Sequence, residues 1–168
     1  QTCALPILAG GKCVTFETGD YYYDNTTVMN LDHVRLFGQG DVRFIKIVDG
    51  GNGLVIGGKL ARQYGNGITG ITFSSLTAAT SGYLVRIINC GQTNLASIAT
   101  SNFPAAPYLG VSIENVVQIT NSFSSYSGCL ATGFTSIDCV DHYLNSSRAD
   151  ANGLHGFSID TCSGFYPS

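Results

Sequence analysis

The sequence predicts an all-β fold, a right-handed parallel β-helix built as a solenoid of rungs of about 22–24 residues. Three observations lead to it: a composition poor in charge, a repeat in the last third of the chain, and short glycine-separated apolar runs upstream. Of the 168 residues, 44% are hydrophobic and only 11% are charged. Because surface helices need charged, helix-forming residues on their solvated face, this composition favours strands and turns.

Charge and hydropathy also exclude some partners. A formal net charge of −3 provides no basic field for a phosphate backbone, so we expect no nucleic-acid partner. No apolar run approaches the roughly 20 residues that span a bilayer, so we expect no membrane partner either.

Apart from Cys3, the cysteines follow no metal-site or disulfide pattern. They form no C-x-x-C pair and have no histidine at zinc-site spacing. They are Cys13, Cys90, Cys129, Cys139 and Cys162. The sequence therefore predicts buried thiols that pack as small apolar groups, with no metal site and no cofactor.

The two ends of the chain indicate a fragment. Residues 1–7 read QTCALPI, the translation of a common short-read sequencing adapter, and we exclude them from fold reasoning. Pro167 and Ser168 fall inside a repeat copy. We therefore expect an artefact over residues 1–7 and a single parallel β-helix domain over residues 8–168, incomplete at both ends.

The upstream segments have the composition of short strands. They are rich in β-branched and aromatic residues, and glycine separates nearly all of them. The predicted strands cover residues 12–18, 26–31, 34–37, 42–48, 54–56, 67–74 and 83–90. Two longer interruptions, at residues 76–82 and 102–108, have the composition of loops.

A repeated triplet sets the predicted rung length. The pattern Ser-Ile-acid occurs at residues 112–114, 136–138 and 158–160, and the distance between the first two copies is slightly longer than that between the last two. In a strand, the middle residue of such a triplet points to one face and its neighbours to the other. We therefore predict that Ile113, Ile137 and Ile159 form one interior column on successive rungs, about 4.8 Å apart.

The copies also align downstream of the triplet. Without gaps, Ile119 falls in the same column as Tyr143, and Tyr166 joins them after one extra residue. Cys139 and Cys162 are separated by the same step as Tyr143 and Tyr166. The alignment predicts that these positions stack on one another from rung to rung.

Two motifs near the start of the chain carry a family resemblance. Residues 10–21 read GGKCVTFETGDY and residues 34–40 read VRLFGQG. They resemble the GG-x-V-x-h-P-x-G-x-Y start and the V-x-L-x-G-x-G element of the pectate-lyase-like superfamily of right-handed β-helices, with Glu17 in place of the family's proline. Within that superfamily, the chain is most similar to phage tailspike and depolymerase proteins.

The resemblance covers most of residues 10–168 and implies a function on glycans. The family contains polysaccharide lyases, glycoside hydrolases, and tailspikes that bind or cleave host surface glycans. It implies a polysaccharide partner, a homotrimeric full-length protein, and a location on a virion tail or outside the cell. The two motifs are structural, so they specify the fold and not the reaction.

Three aligned acids form the predicted catalytic group. In the register of the triplets, Glu114, Asp138 and Asp160 stack on one outer face, where mutual repulsion raises a pKa. Adjacent carboxyl groups would lie about 5 Å apart, as in retaining glycosidases, and next-nearest ones about 9.6 Å apart, near the upper end for inverting enzymes. The alternative is that these acids are solvated outer-face residues or turn formers.

Residues around the second copy are the predicted substrate-binding group. Asp141, His142 and Arg148 would supply hydrogen bonds to a sugar, and Tyr143 would offer a ring for stacking. The alternative for His142 is a surface residue without a role in binding.

The sequence therefore predicts a carbohydrate-engaging β-helix of a phage tailspike or polysaccharide depolymerase that binds surface glycans. It does not decide whether the protein also cleaves them. One alternative is a secreted microbial polysaccharide lyase or glycoside hydrolase. Another is a noncatalytic adhesin or structural spike shaft. A basic residue beside the acids favours a lyase, paired carboxylates in a groove favour a hydrolase, and a featureless face favours a shaft.

Overall fold

The computed structural model describes residues 13–24, 28–29, 32–58 and 61–168. These residues form a parallel β-solenoid of about six turns, and they contain no helix. The predicted artefact at residues 1–7 lies outside them. The strands in the described part of the chain are β1 Cys13–Tyr23, β2 Val28–Met29, β3 Arg35–Lys46, β4 Leu54–Gly57, β5 Gln63–Tyr64, β6 Gly67–Thr69, β7 Thr72–Ser75, β8 Tyr83–Ile88, β9 Cys90–Ala96, β10 Ala99–Thr100, β11 Leu109–Glu114, β12 Val117–Ser122, β13 Ser125–Tyr126, β14 Thr132–Ile137, β15 Val140–Asn145, β16 His155–Asp160 and β17 Ser163–Pro167.

The strands form two sheets, and the larger one, which we call the first sheet, bends. The smaller one, which we call the second sheet, has the order β2-β4-β8-β11-β14-β16. The first sheet bends at β3, whose first half pairs with β6 and whose second half pairs with β7. We call β6-β9-β12-β15-β17 the long arm and β7-β10-β13 the short arm. The named strand pairs in the described residues are parallel, because each turn lays a new strand beside the previous one in the same direction.

From β4 onward, the rung length falls along the chain. In the second sheet, Leu54 pairs with Val85, and Val85 pairs with Val111 after a shorter step. The next partners in this column are Phe134 and Phe157, and these last two steps are shorter still and equal to each other. The predicted length of about 22–24 residues is therefore confirmed for the last rungs. The mean is about 26 residues because upstream rungs carry longer loops.

Alternate residues of each strand point inward and build the core. In the second sheet, Ile56, Ile87 and Ile113 pair in one column and are fully buried. In the long arm, Ile68 and Leu95 do the same. One strand could not bury its apolar side alone, so the stacking of rungs is what makes the core continuous.

The pairing register corrects the alignment of the triplets. Ile113, Ile137 and Ile159 lie on successive rungs, as predicted, in β11, β14 and β16. Ile113, however, pairs with Ser136, and Ser136 pairs with Ile159. The two steps are therefore of equal length, and Ile137 lies one position out of the column. Because side chains alternate, this slip turns Ile137 to the opposite side of the strand.

The same slip changes the following strand. Ile119 pairs with His142 and not with Tyr143, so that part of the predicted column is wrong. Tyr143 does pair with Tyr166 on the next rung, as predicted. The predicted alignment of the second and third copies of the repeat is therefore correct from Tyr143 onward. The predicted alignment of the first copy is shifted by one residue.

Candidate functional site

Glu114 lies in an ion pair. Its carboxylate accepts hydrogen bonds from Arg86 of the neighbouring rung, with Oε1 2.9 Å from Nε and Oε2 2.5 Å from Nη2. Ser112 Oγ donates another at 2.8 Å. The hydrogen bonds from Arg86 lower the pKa of Glu114, in spite of the opposing effect of partial burial. The carboxylate is held ionised, whereas a general acid must be protonated.

Asp138 occupies a turn position that favours asparagine and aspartate. It follows β14 with a φ of +52°, in the left-handed region. The equivalent positions on other rungs share a positive φ, and we call this set the turn column: Gly58, Asn89, Asn115, Asp138 and Thr161. Thr161 Oγ1 also donates a hydrogen bond to the Asp138 carboxylate. The turn-former interpretation therefore accounts for Asp138.

The predicted catalytic column of three acids is wrong. Asp138 lies outside β14, and the strand residue that pairs with both Glu114 and Asp160 is Ile137. Glu114 and Asp160 are thus two rungs apart, roughly 9.6 Å at the usual strand spacing, with an isoleucine between them. In this register, no two of the three acids occupy one column on adjacent rungs, which is the arrangement that was predicted for a retaining glycosidase.

His142 faces the core. Its side chain is fully buried, and Nδ1 lies 3.3 Å from Ser136 Oγ. The ring packs against Phe134 and Phe165 with centroid distances of 5.5 and 5.4 Å. Burial lowers the pKa of His142 to about 4. A polysaccharide on the surface cannot contact this side chain, so the predicted binding role of His142 is wrong.

The other predicted binding residues lie on two different faces. Arg148 forms a bridge with Ser125 of the short arm, and its Nε donates a hydrogen bond to Ser125 Oγ at 3.1 Å. Asp141 and Tyr143 lie on β15 of the long arm. The structure therefore keeps Asp141 and Tyr143 together as candidates and separates Arg148 from them.

Tyr143 and Tyr166 form a stacked pair on the outer side of the long arm. They pair in register on β15 and β17, with ring centroids 4.9 Å apart and an interplanar angle of 15°. Tyr143 is 42% exposed and Tyr166 is 49% exposed. The residue before Tyr143 in this column is Thr120. Because threonine is much smaller than tyrosine, no aromatic ring covers Tyr143 from that side.

A depression of about 450 Å³ adjoins the two tyrosines. We call its lining the tyrosine face: Thr120, Tyr143, Asn145, Tyr166, Pro167 and Ser168. Asn145 Oδ1 accepts a hydrogen bond from Ser168 Oγ at 3.2 Å, which orders an amide and a hydroxyl group beside the rings. The tyrosine face thus combines ring surface with donors and acceptors, and none of its side chains is charged.

Sequence reasoning identified Tyr143 but missed the rest of the tyrosine face. Between the second and third copies, Tyr143 aligns with Tyr166 and Asn145 with Ser168, and both alignments are visible in the sequence. What hid the face was the register error, which put Ile119 in the same column as Tyr143. With isoleucine at its start, the column does not indicate an outer face, so the sequence does not single out Tyr166 as a binding residue beside Tyr143.

In the described residues, no group of three or more His, Cys, Asp or Glu side chains is arranged to hold a metal ion. Cys90, Cys129 and Cys139 are buried free thiols, as predicted, whereas Cys13 is exposed and Cys162 is half-buried. Burial raises the pKa of Cys90 and of Cys129 to about 11. These two thiols therefore stay protonated near neutral pH and act as packing groups.

Within the same residues there is no helix of the length and apolar character needed to cross a bilayer. Comparison of the chain with protein-family models, with curated proteins and with solved structures found no match. The function of this β-solenoid therefore has to be argued from the geometry of the tyrosine face.

Proposed function

We propose that this β-solenoid binds a polysaccharide at the tyrosine face. The observation that supports it is the stacked and exposed pair of Tyr143 and Tyr166 beside a depression lined by hydroxyl and amide groups. A sugar ring has apolar C–H faces and a rim of hydroxyl groups. Aromatic rings match the faces, and the side chains of Asn145 and Ser168 can donate to and accept from the rim.

The sugar chain would lie along the solenoid axis. Thr120, Tyr143 and Tyr166 follow one another in a single column, at the strand spacing of about 4.8 Å. A polymer of sugars placed along this column contacts several rungs at once. Because each further contact is made within one complex, several weak contacts give a useful affinity.

The side chains of the tyrosine face favour glycan binding without cleavage. The tyrosine face contains no carboxylate side chain, and glycoside hydrolysis ordinarily uses two. Arg86 beside Glu114 is the arrangement expected of a lyase, but the hydrogen bonds from Arg86 to Glu114 raise the pKa of Arg86. A lyase base has to be deprotonated, so this pair is poorly suited to the reaction.

Membership among pectate-lyase-like tailspikes belongs to the same proposal, together with a homotrimeric assembly and a location on a virion tail or outside the cell. It is supported by the resemblance of residues 10–21 and 34–40 to that family, and by the parallel solenoid fold. A noncatalytic adhesin fits the tyrosine face equally well, because both functions need only glycan binding.

The first experiment measures binding of the 168-residue chain to a panel of capsular, lipopolysaccharide and plant polysaccharides by affinity electrophoresis. Tyr143→Ala and Tyr166→Ala are compared with Tyr22→Ala, which removes an exposed tyrosine from β1. We expect each tyrosine-face variant to weaken binding at least tenfold, as for a central aromatic contact, and Tyr22→Ala to have little effect. Unchanged binding in both tyrosine-face variants, or no binding to any glycan, would contradict the proposal.

Cleavage is tested on the same panel. We expect no new reducing or unsaturated chain ends after incubation with the parent protein. New chain ends that disappear in Asp138→Asn or Asp160→Asn would instead make the chain an enzyme, and the chemistry of the ends would separate hydrolysis from elimination.

A further inference from the structure

We infer that the tyrosine face selects an uncharged polysaccharide over an acidic one, and that Asp141 enforces this selection. The inference rests on the proposed function and names the class of glycan that the same face accepts.

The long arm around the tyrosine face carries no lysine or arginine. Strands β9, β12, β15 and β17 contain a single acidic side chain, Asp141, and a single histidine, the buried His142. A uronate or sialate carboxylate leaves water only when a cation or several donors replace the lost hydration. Nothing in these four strands supplies a cation, so the binding of an acidic glycan leaves its carboxylates without a charged partner.

Of three arginines in the neighbouring rungs, two are engaged on other faces, and Arg62 lies against Gly91 at the start of β9. Arg62 Nη2 donates to Asn115 Oδ1 in the turn column, at 3.3 Å. Arg86 is paired with Glu114 in the second sheet. Arg148 contacts the short arm through its hydrogen bond to Ser125. None of these guanidinium groups belongs to the lining of the depression.

Asp141 adds a negative charge at the edge of the tyrosine face. It lies two positions before Tyr143 on β15, about 7 Å along the strand. Its position is fixed from both sides: its φ is +53°, and its Oδ1 lies over Gly164, where a Cβ atom would approach to 2.6 Å. The carboxylate can accept hydrogen bonds from sugar hydroxyl groups, but it repels a second carboxylate.

The test uses matched pairs of polymers that share a backbone and differ in whether they carry carboxylate groups: polygalacturonate and its carboxyl-reduced form, hyaluronan and its carboxyl-reduced form, and carboxymethyl-dextran and dextran. Glycans from the first panel that bind are added in native and carboxymethylated forms. We expect the uncharged member of every binding pair to bind more tightly. We also expect added salt to strengthen binding of the acidic member, because it screens the repulsion.

Asp141→Asn should raise the affinity for acidic members about two- to fivefold relative to that for the uncharged members, because it removes an exposed charge while the amide oxygen still accepts hydrogen bonds from hydroxyl groups. Asp138→Asn is the matched control, because it makes the same change of charge at another position with positive φ. Tighter binding of acidic members, or equal effects of the two variants, would overturn the inference while glycan binding stands. If no polymer binds, the proposed function itself has failed.

Discussion

The turn that ends the strands of the second sheet is formed by different residues before and after Gly82. In the early part of the solenoid, Gly57 at the end of β4 and Gly58 after it have φ values of +88° and +87°. In the later rungs, the turn column continues with asparagine, aspartate and threonine, all between +51° and +54°. Glycine reaches this region without a steric cost, and asparagine and aspartate reach it more readily than other residues.

Both interiors contain aromatic clusters. In the early core, Phe16, Phe44 and Phe73 are in edge-to-face contact at centroid distances of 4.9 and 5.5 Å. The late core has a second cluster around Phe134, and it also buries Ser136 and His142. His142 Nε2 is buried without a hydrogen-bond partner in the described residues.

The backbone of this solenoid therefore stays constant at the turn while its side chains change. Asn89, Asn115 and Asp138 donate their N–H groups to the next rung at 3.0–3.1 Å, and Gly58 makes the same bond at 3.0 Å to Ile88. The late rungs add a side-chain ladder, in which Asn115 Nδ2 donates to Asn89 Oδ1 at 3.3 Å. Regular rungs allow such ladders, because equivalent residues then lie directly above one another.

The strongest test of the glycine turn is Gly57→Ala. A Cβ atom at this position would lie 2.0 Å from the Ile88 carbonyl oxygen and 2.7 Å from Cys90 Sγ, in addition to the strained φ. We expect the free energy of unfolding to fall by about 3 kcal/mol or more, measured by urea denaturation. Gly58→Ala is the control, since a Cβ there meets no described atom within 4 Å, and its cost should be about 1 kcal/mol. Equal losses in the two variants would contradict the steric argument.

The polar late core predicts a dependence of stability on pH. Burial lowers the pKa of His142 to about 4 from 6.5, so between these values the unfolded chain takes up a proton that the folded chain does not. Stability contributed by the neutral imidazole is therefore complete above about pH 6.5 and is lost as the pH falls towards 4. The loss should be on the order of 3 kcal/mol.

His142→Leu should remove most of this dependence, because leucine has no proton to bind and fits beside Ile119 and Phe165 in the same interior column. Urea unfolding at several pH values between neutral and mildly acidic measures the slope. His155→Asn, which changes an exposed histidine, should keep the slope of the parent. A His142→Leu protein as sensitive to acid as the parent would show that another group is responsible.

The fold could be predicted from the sequence, and the register could not. The recurring Ser-Ile-acid triplet is sufficient to indicate a solenoid, because stacked rungs bury apolar runs that no single strand could bury alone. The triplets mislead at Ser136, which lies in the core although Ile137 beside it is the better core residue. Ser136 is tolerated inside because its hydroxyl has partners, with His142 Nδ1 and Cys162 Sγ each at 3.3 Å. A pattern of apolar and polar residues does not contain that information.

The candidate site could be predicted only in part. The sequence predicts Tyr143 as a binding residue and aligns Tyr166 with it, but only the structure shows that the two rings are exposed beside a depression. The three acids were attractive because acidic residues can catalyse reactions on sugars. Asn89, Asn115 and Asp138 recur once per rung, and this recurrence, together with their preference for positive φ, indicates a turn position instead.

The substitution with the smallest expected effect is Gly58→Asn. It replaces the glycine of the early turn by the residue type that occupies the equivalent position in later rungs. No described atom lies within 4 Å of a Cβ built at this position, and asparagine occupies the equivalent place in the next two rungs, at residues 89 and 115. The loss of a flexible glycine from the unfolded chain should offset the backbone strain, so we expect stability to change by no more than about 0.5 kcal/mol. Gly58→Val should cost about 1–3 kcal/mol, because a β-branched residue is strongly disfavoured at positive φ. If asparagine proves as costly as valine, the early and late turns are not interchangeable, and the longer early rungs require glycine for a reason other than φ.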